Sequence, residues 1–168
     1  MLGKMNAIIG YTGFIGGVLT KHIPDCELYN SKNIDTIAGK SYDVIYCCGI
    51  QSKKWWANKN VDSDWESISK LISVFKSVKC DKFILVSTIA VYDNEPYGEH
   101  RLMAEKLLSE IMGEKLYIIR LPSVFGDGLR KNMLYDLINN RQRNPINLSE
   151  TVQWYNVNNI HKDIQNML

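Results

Sequence analysis

A chain of 168 residues, 45% hydrophobic and 23% charged, has the proportions of a globular protein and excludes a disordered or fibrous one. At this length roughly 70% of the unfolded surface can be buried, so a core forms without disulfides or metals and one domain spanning 1–168 is expected. Twenty Lys and Arg against eighteen Asp and Glu leave a net charge of +2, too small and scattered to make nucleic acid or an anionic membrane the main partner.

No apolar run approaches a transmembrane helix, and the opening MLGKMNAIIGYTG turns to glycine before the apolar region of a signal peptide develops. A cytoplasmic protein is expected. Cys26, Cys47, Cys48 and Cys80 have neither metal nor disulfide-framework spacing, so they read as small buried hydrophobes and no metal site is assigned.

Short apolar runs alternate with helical spacing, the pattern of βα units on a parallel sheet. Asn6-Ala7-Ile8-Ile9 reads as the first strand, followed by a glycine turn and a helix through Val18, Leu19 and Ile23 that Pro24 ends. Glu27 to Asn30 is a short second strand, and Asp43 to Gly49 a third that passes into a loop carrying Lys53-Lys54-Trp55-Trp56. Between Val61 and Lys79, Trp65, Ile68, Leu71, Ile72 and Phe75 recur at intervals of three and four, with Ser63 and Glu66 spaced as a capping box. Phe83 to Val86 reads as a buried strand, Glu99 to Met112 as a helix, and Tyr117 to Ile119 as a strand stopped near Pro122. Met133 to Asn139 looks helical, short extended pieces fall within Asn144 to Val157, and a last helix covers Ile160 to Met167.

Gly10-Tyr11-Thr12-Gly13-Phe14-Ile15-Gly16 lies where the first strand hands over to the first helix. Glycines there let the backbone turn sharply and approach a pyrophosphate, while the helix N-terminus offers unpaired N–H groups to it. The G-x-x-G-x-x-G spacing resembles the fingerprint of the extended short-chain dehydrogenase/reductase superfamily, the branch of nucleotide-sugar epimerases, dehydratases and reductases. Later segments are similar to that family in the same order. Asp43 to Gly49 looks like its strand running under the cofactor, and Asn60-Val61 like the asparagine of its next helix, which a solvated helix-flanking residue would equally explain. Val86 to Tyr92 resembles its S-S/T-x-x-V-Y segment, Tyr97-Gly98-Glu99-His100-Arg101 its Y-G-x-x-K, and Leu116 to Gly126 its nicotinamide-facing strand and loop. Trp154 to Ile160 is similar to a later R-D-F-V-H-V-D-D stretch whose charges have become amides and aromatics.

The resemblance implies a Rossmann-like doubly wound parallel sheet flanked by helices, with a reduced C-terminal substrate-binding portion. It also implies a keto-group reductase or epimerase, with a nucleotide-activated sugar as the expected substrate class. Thr88 falls on the family's carbonyl-orienting position, Tyr97 on its general acid/base and Arg101 on its lysine, which tunes the phenol and clamps the ribose. The cofactor contacts it implies are Gly10, Thr12, Gly13, Phe14, Ile15 and Gly16 in the turn, Asn30, Ser31 and Lys32 after the second strand, Cys48 and Gly49 after the third, then Tyr97, Arg101, Pro122 and Val124. An NAD enzyme usually carries an acid at the end of the second strand. Asn30-Ser31-Lys32 instead suits the 2′-phosphate of NADP, although Asp35, nineteen residues beyond Gly16, brings NAD back if the strand runs later.

Arginine keeps the lysine's charge but is a bulkier, planar fork, and the second strand runs almost directly into the third. Both departures leave room for a non-catalytic NADP(H)-binding sensor or subunit, or for a reductase of a planar acceptor such as flavin or quinone. Lys53, Lys54, Trp55 and Trp56 can supply a basic aromatic surface for an anionic ring, or else Trp55, Trp56 and Trp65 are core or dimer contacts. The helices of Trp65 and Met103 correspond to those that pair in family homodimers, so a homodimer is expected.

Overall fold

The computed structural model describes residues 5–141, 149 and 151–168. The chain divides into two compact units, Met1–Arg120 and Leu121–Leu168.

In the first unit β1 (Asn6–Ile9), β2 (Cys26–Tyr29), β3 (Ser41–Cys47), β4 (Lys79–Thr88) and β5 (Leu116–Leu121) form one sheet in the order β2-β1-β3-β4-β5. β1 pairs in parallel with both β2 and β3, and β3 with β4. The fold is thus a parallel, Rossmann-like α/β sheet with flanking helices. Neighbouring residues Ile8 and Ile9, and Ile84 and Leu85, are all buried, which requires both faces of the sheet to be covered because successive side chains point to opposite sides. Between β2 and β3 there is only a short 3-10 turn, Ile34–Ile37, where the family pattern has a further strand and helix.

Four helices belong to this unit: α1 (Phe14–His22), α2 (Lys54–Lys59), α3 (Val61–Phe75) and α4 (Pro96–Met112). α3 buries Ile68, Ile72 and Phe75, with the Phe75 ring edge-on to Phe83 at 5.1 Å. Two expectations need correcting here. Trp55 and Trp56 lie in a helix rather than a loop. The Ser63/Glu66 capping box does not form, because α2 ends at Lys59 and Asn60 caps both it and α3, which begins at Val61 and leaves Ser63 inside the helix.

In the second unit β6 (Ser123–Phe125) pairs in parallel with β7 (Trp154–Asn156), and α5 (Met133–Ile138) and α6 (Ile160–Met167) complete it. Of the extended pieces expected over Asn144 to Val157, residues 144–148 and 150 lie outside the described residues, and β7 is the piece observed. Among the described residues no helix is long and apolar enough to cross a membrane.

One polar cluster ties β2 to β3. The Glu27 carboxylate accepts from Lys40 Nζ at 2.8 Å, from Tyr42 at 2.5 Å and from Tyr29. Those hydrogen bonds, Lys40's foremost, hold the Glu27 carboxyl down at about 2 against an ordinary 4.5. A depressed carboxyl contributes stability above its unfolded-state value and loses it as pH falls through the folded one. The denaturant midpoint should therefore decline between pH 4.5 and 2, and Glu27→Gln should flatten that decline in urea titrations across the range.

Candidate dinucleotide site

The strand order reverses between β1 and β3, and in open α/β sheets the carboxyl ends of the strands on either side of such a switch form the ligand crevice. The residues at those ends are Gly10 after β1 and Cys48-Gly49 after β3. Gly10 has φ +82°, and a Cβ there would lie 2.5 Å from the Cys48 carbonyl oxygen. At Gly16 a Cβ would lie 2.2 Å from the Gly10 carbonyl oxygen. Only hydrogen fits at either position, so the turn lies flat against the end of β3. Gly10 N donates to Tyr29 O at 2.8 Å and Gly13 N to Gly10 O at 2.9 Å, closing the turn. Gly13 then caps α1 with extended backbone, no side-chain hydrogen bond and no acid in the first turn. The amides of Phe14, Ile15 and Gly16 have no intrahelical acceptor. Backbone donors and the positive end of the helix dipole are thus offered together, with Thr12 and Gly13 exposed beside them. A pyrophosphate fits this cradle.

β2 ends at Tyr29, so Asn30, Ser31 and Lys32 follow it directly. The Asn30 amide donates to the Tyr11 hydroxyl at 3.2 Å, and its Oδ1 accepts from Lys32 N at 2.8 Å. That bend leaves Ser31 and Lys32 exposed. Asp35 lies beyond it in the 3-10 turn.

On the far strands, Thr88 closes β4, and its Oγ1 accepts from Ala90 N at 3.1 Å, which turns the chain into the 3-10 segment Ile89–Tyr92. α4 begins against that segment so closely that a Cβ on Gly98 would lie 1.9 Å from Ala90 O. Asn58 of α2 steadies the junction, accepting from Tyr97 N at 2.9 Å and donating to Glu95 at 3.0 Å. Tyr97 and Arg101, one turn apart on α4, are both buried, and the guanidinium carbon sits 3.9 Å from the centroid of the Tyr97 ring.

Arg101 is already committed. Its Nη1 and Nη2 donate to the two oxygens of Asp64, 1% exposed, and additionally to the carbonyls of Tyr97 and Gln51. All four terminal N–H groups are thereby matched with acceptors, and Nε is a buried donor with no partner. The role of ribose clamp, expected for this position, meets a guanidinium spent on α3, α4 and the loop after β3. His100 Nδ1 lies 2.8 Å from the same carboxylate. Burial raises the Tyr97 phenol above its ordinary value, and Asp64 pushes the same way, against the opposing pull of Arg101 and Lys54.

Asp64, His100 and Asn58 escape the sequence reading. A signal for Asp64 was present: Asp64, Ile68 and Ile72 share one helical stripe, and a carboxylate on an apolar stripe requires a buried partner. Asn60 donates to Trp56 O at 2.8 Å and secures the α2–α3 junction. Cys47 is pushed up to about 12 by burial, and burial raises Cys48 too, so neither thiol is poised to react. Pro122 and Val124 belong to the second unit, Pro122 between β5 and β6 and Val124 within β6, opposite Tyr155.

No family model matches the sequence, and no curated protein matches it. Solved structures do. The chain is similar to an epimerase from the methanogen Methanothermobacter thermautotrophicus, with a TM-score of 0.78 and 16% identity over 98% of this chain and 68% of that one. It is similar to dTDP-4-dehydrorhamnose reductase from Bacillus anthracis in complex with NADP, with a TM-score of 0.72 and 15% identity over 99% of this chain and 71% of that one. The third is UDP-glucuronic acid 4-epimerase from Bacillus cereus in complex with NAD, with a TM-score of 0.71 and 15% identity over 97% and 72%. The fold is that of sugar-nucleotide epimerases and reductases. Across the structures compared, the chain spans 48% to 74% of the neighbour's length.

Removing one partner of a buried ion pair leaves the other uncompensated, at about 3–5 kcal/mol. Asp64→Ala is expected to lose that much in urea denaturation, and Asp62→Ala, exposed in the same turn, to lose well under half of it.

Proposed function

We propose that the chain is a divergent member of the extended short-chain dehydrogenase/reductase family that binds NADP(H) and acts on a keto group, with a nucleotide-activated sugar as the substrate class. The observation that carries this reading is the close-packed Gly10–Gly16 turn at the β1/β3 switch, which presents an uncapped helix N-terminus.

On this reading the α1 amides hold the pyrophosphate, and Ser31 and Lys32 receive the ribose 2′-phosphate as hydrogen-bond donor and cation. The end of β2 at Tyr29 favours those two over Asp35. A bound nicotinamide supplies hydride chemistry at the carboxyl ends of the strands. Thr88 orients the substrate oxygen through its hydroxyl proton, while one of its lone pairs accepts from Ala90 N. Tyr97 exchanges the proton. Arg101 acts as a positioning residue that fixes the Tyr97 ring and the loop after β3. The commitment of Arg101 to Asp64 is also the observation that favours the second reading, a dinucleotide-binding sensor or subunit without turnover.

NADPH titration followed by hydride-oxidation assays on keto sugar nucleotides separates the two. Turnover that falls about 10²–10⁴-fold in Tyr97→Phe with binding unchanged supports the enzyme, and binding without turnover of any carbonyl supports the sensor. Lys32→Ala should cost NADPH about 1.5–3 kcal/mol of affinity and leave NADH affinity unaltered, as isothermal titration would record. In Gly13→Asp a carboxylate replaces the exposed N-cap glycine. Its Cβ would lie 3.2 Å from the Gly10 carbonyl oxygen, a tight contact that opposes the gain from the cap. The melting temperature should therefore change little, while dinucleotide binding weakens by about tenfold or more because the carboxylate stands where the phosphates bind.

A further inference from the structure

Among the described residues, three groups of charge or proton-exchanging character lie about Tyr97 and its partner Arg101. Asp64 comes from α3, where it binds Arg101 through both oxygens, and His100 on α4 lies against that carboxylate. Arg101 itself covers the Tyr97 ring face. Lys54, from α2, is spent on Asp93 and Glu95 at 2.9 and 2.8 Å. Every cation near the phenol therefore has a carboxylate of its own, and the nearer pair is buried at 1% and 2% exposure. A lone cation beside a phenol stabilises phenolate; a carboxylate bound to that cation offsets part of its pull, and burial of the phenol opposes the rest.

We propose that the Asp64–Arg101 pair gives the site a direction: at neutral pH Tyr97 donates a proton to a carbonyl oxygen and does not remove one from an alcohol, so the substrate is a keto compound undergoing reduction rather than a hydroxy sugar undergoing epimerisation. The inference rests on the proposed family function and narrows it. In reduction, hydride from the dinucleotide brings two electrons to the carbonyl carbon and the C=O π pair moves to oxygen. The Tyr97 O–H bond breaks, its proton passes to that oxygen, and the pair left on Tyr97 is reprotonated by solvent. Inverting an alcohol centre by way of a ketone must instead begin with removal of the hydroxyl proton, for which a phenolate has to be present beforehand. Burial, the largest cause, raises the Tyr97 phenol, and Asp64 offsets part of the opposing pull of Arg101.

The test is direct titration of Tyr97 in the full chain. With nine tyrosines present, the phenolate absorbance of Tyr97→Phe is subtracted from that of the wild type, and the same subtraction is made in an Asp64→Asn background. Folding is followed by circular dichroism. The wild-type difference curve should show Tyr97 un-ionised beyond the ordinary tyrosine midpoint near 10. Asp64→Asn, by releasing the Arg101 charge, should lower that midpoint by about 1–3 units, and Asp64→Asn/Arg101→Met should restore it toward the wild-type value. A folded Asp64→Asn protein that titrates like the wild type overturns the proposal. Should that variant not fold, a wild-type midpoint below about 10 overturns it, and one above about 10 supports it.

NADPH binding is measured on the same samples by tryptophan fluorescence. Absence of binding refutes the family reading whatever Tyr97 does, whereas binding together with a low Tyr97 midpoint refutes the direction alone.

Discussion

Two carbonyl oxygens, those of Cys48 and Gly10, set the shape of the glycine turn. Each comes so near its neighbour that an added Cβ would lie 2.5 Å from it at Gly10 and 2.2 Å from it at Gly16. The first strand therefore turns hard against the third, and the first helix starts within one turn of the sheet's edge. Backbone N–H groups come to point into the crevice where the strand order reverses. The covered sheet below it serves to keep those three segments in register.

On the other side of the crevice the constraint is electrostatic. α3, α4 and the loop after β3 meet at one guanidinium, and a buried carboxylate balances it. A buried pair of this kind adds little net stability relative to apolar packing, but it is costly to break. It fixes the geometry of the segments it joins. The Tyr97 ring is held under Arg101, and its backbone N–H is held by Asn58. Positive charge at this position serves packing, and a glycine at 98 allows α4 to approach the segment that follows β4.

The glycine turn, the five strands of the main sheet and the long helices are legible in the sequence because their signals are local: a strand, three glycines, then an apolar period. β6, the three residues past Pro122, reads instead as a loop. The break after Tyr29 is legible for the same reason. α2 was not, since six residues with two adjacent tryptophans show no period, and missing it moved the apparent start of α3 to a spurious capping box at Ser63. Asp64 and Arg101 stand 37 positions apart, and a pairing of that kind leaves no trace in spacing. The arginine was visible as a departure from a family pattern, but what it does there depends on a partner that only the fold brings to it.

Dinucleotide binding at the β1/β3 switch is the claim on which the functional reading stands, and amide chemical shifts test it without a substrate. Titrating NADPH into isotope-labelled protein should move the backbone amides of Phe14, Ile15 and Gly16 first and farthest, with Ser31 and Lys32 following. Saturating NADPH that leaves those amides in place, or that shifts only residues away from the glycine turn, would contradict the account.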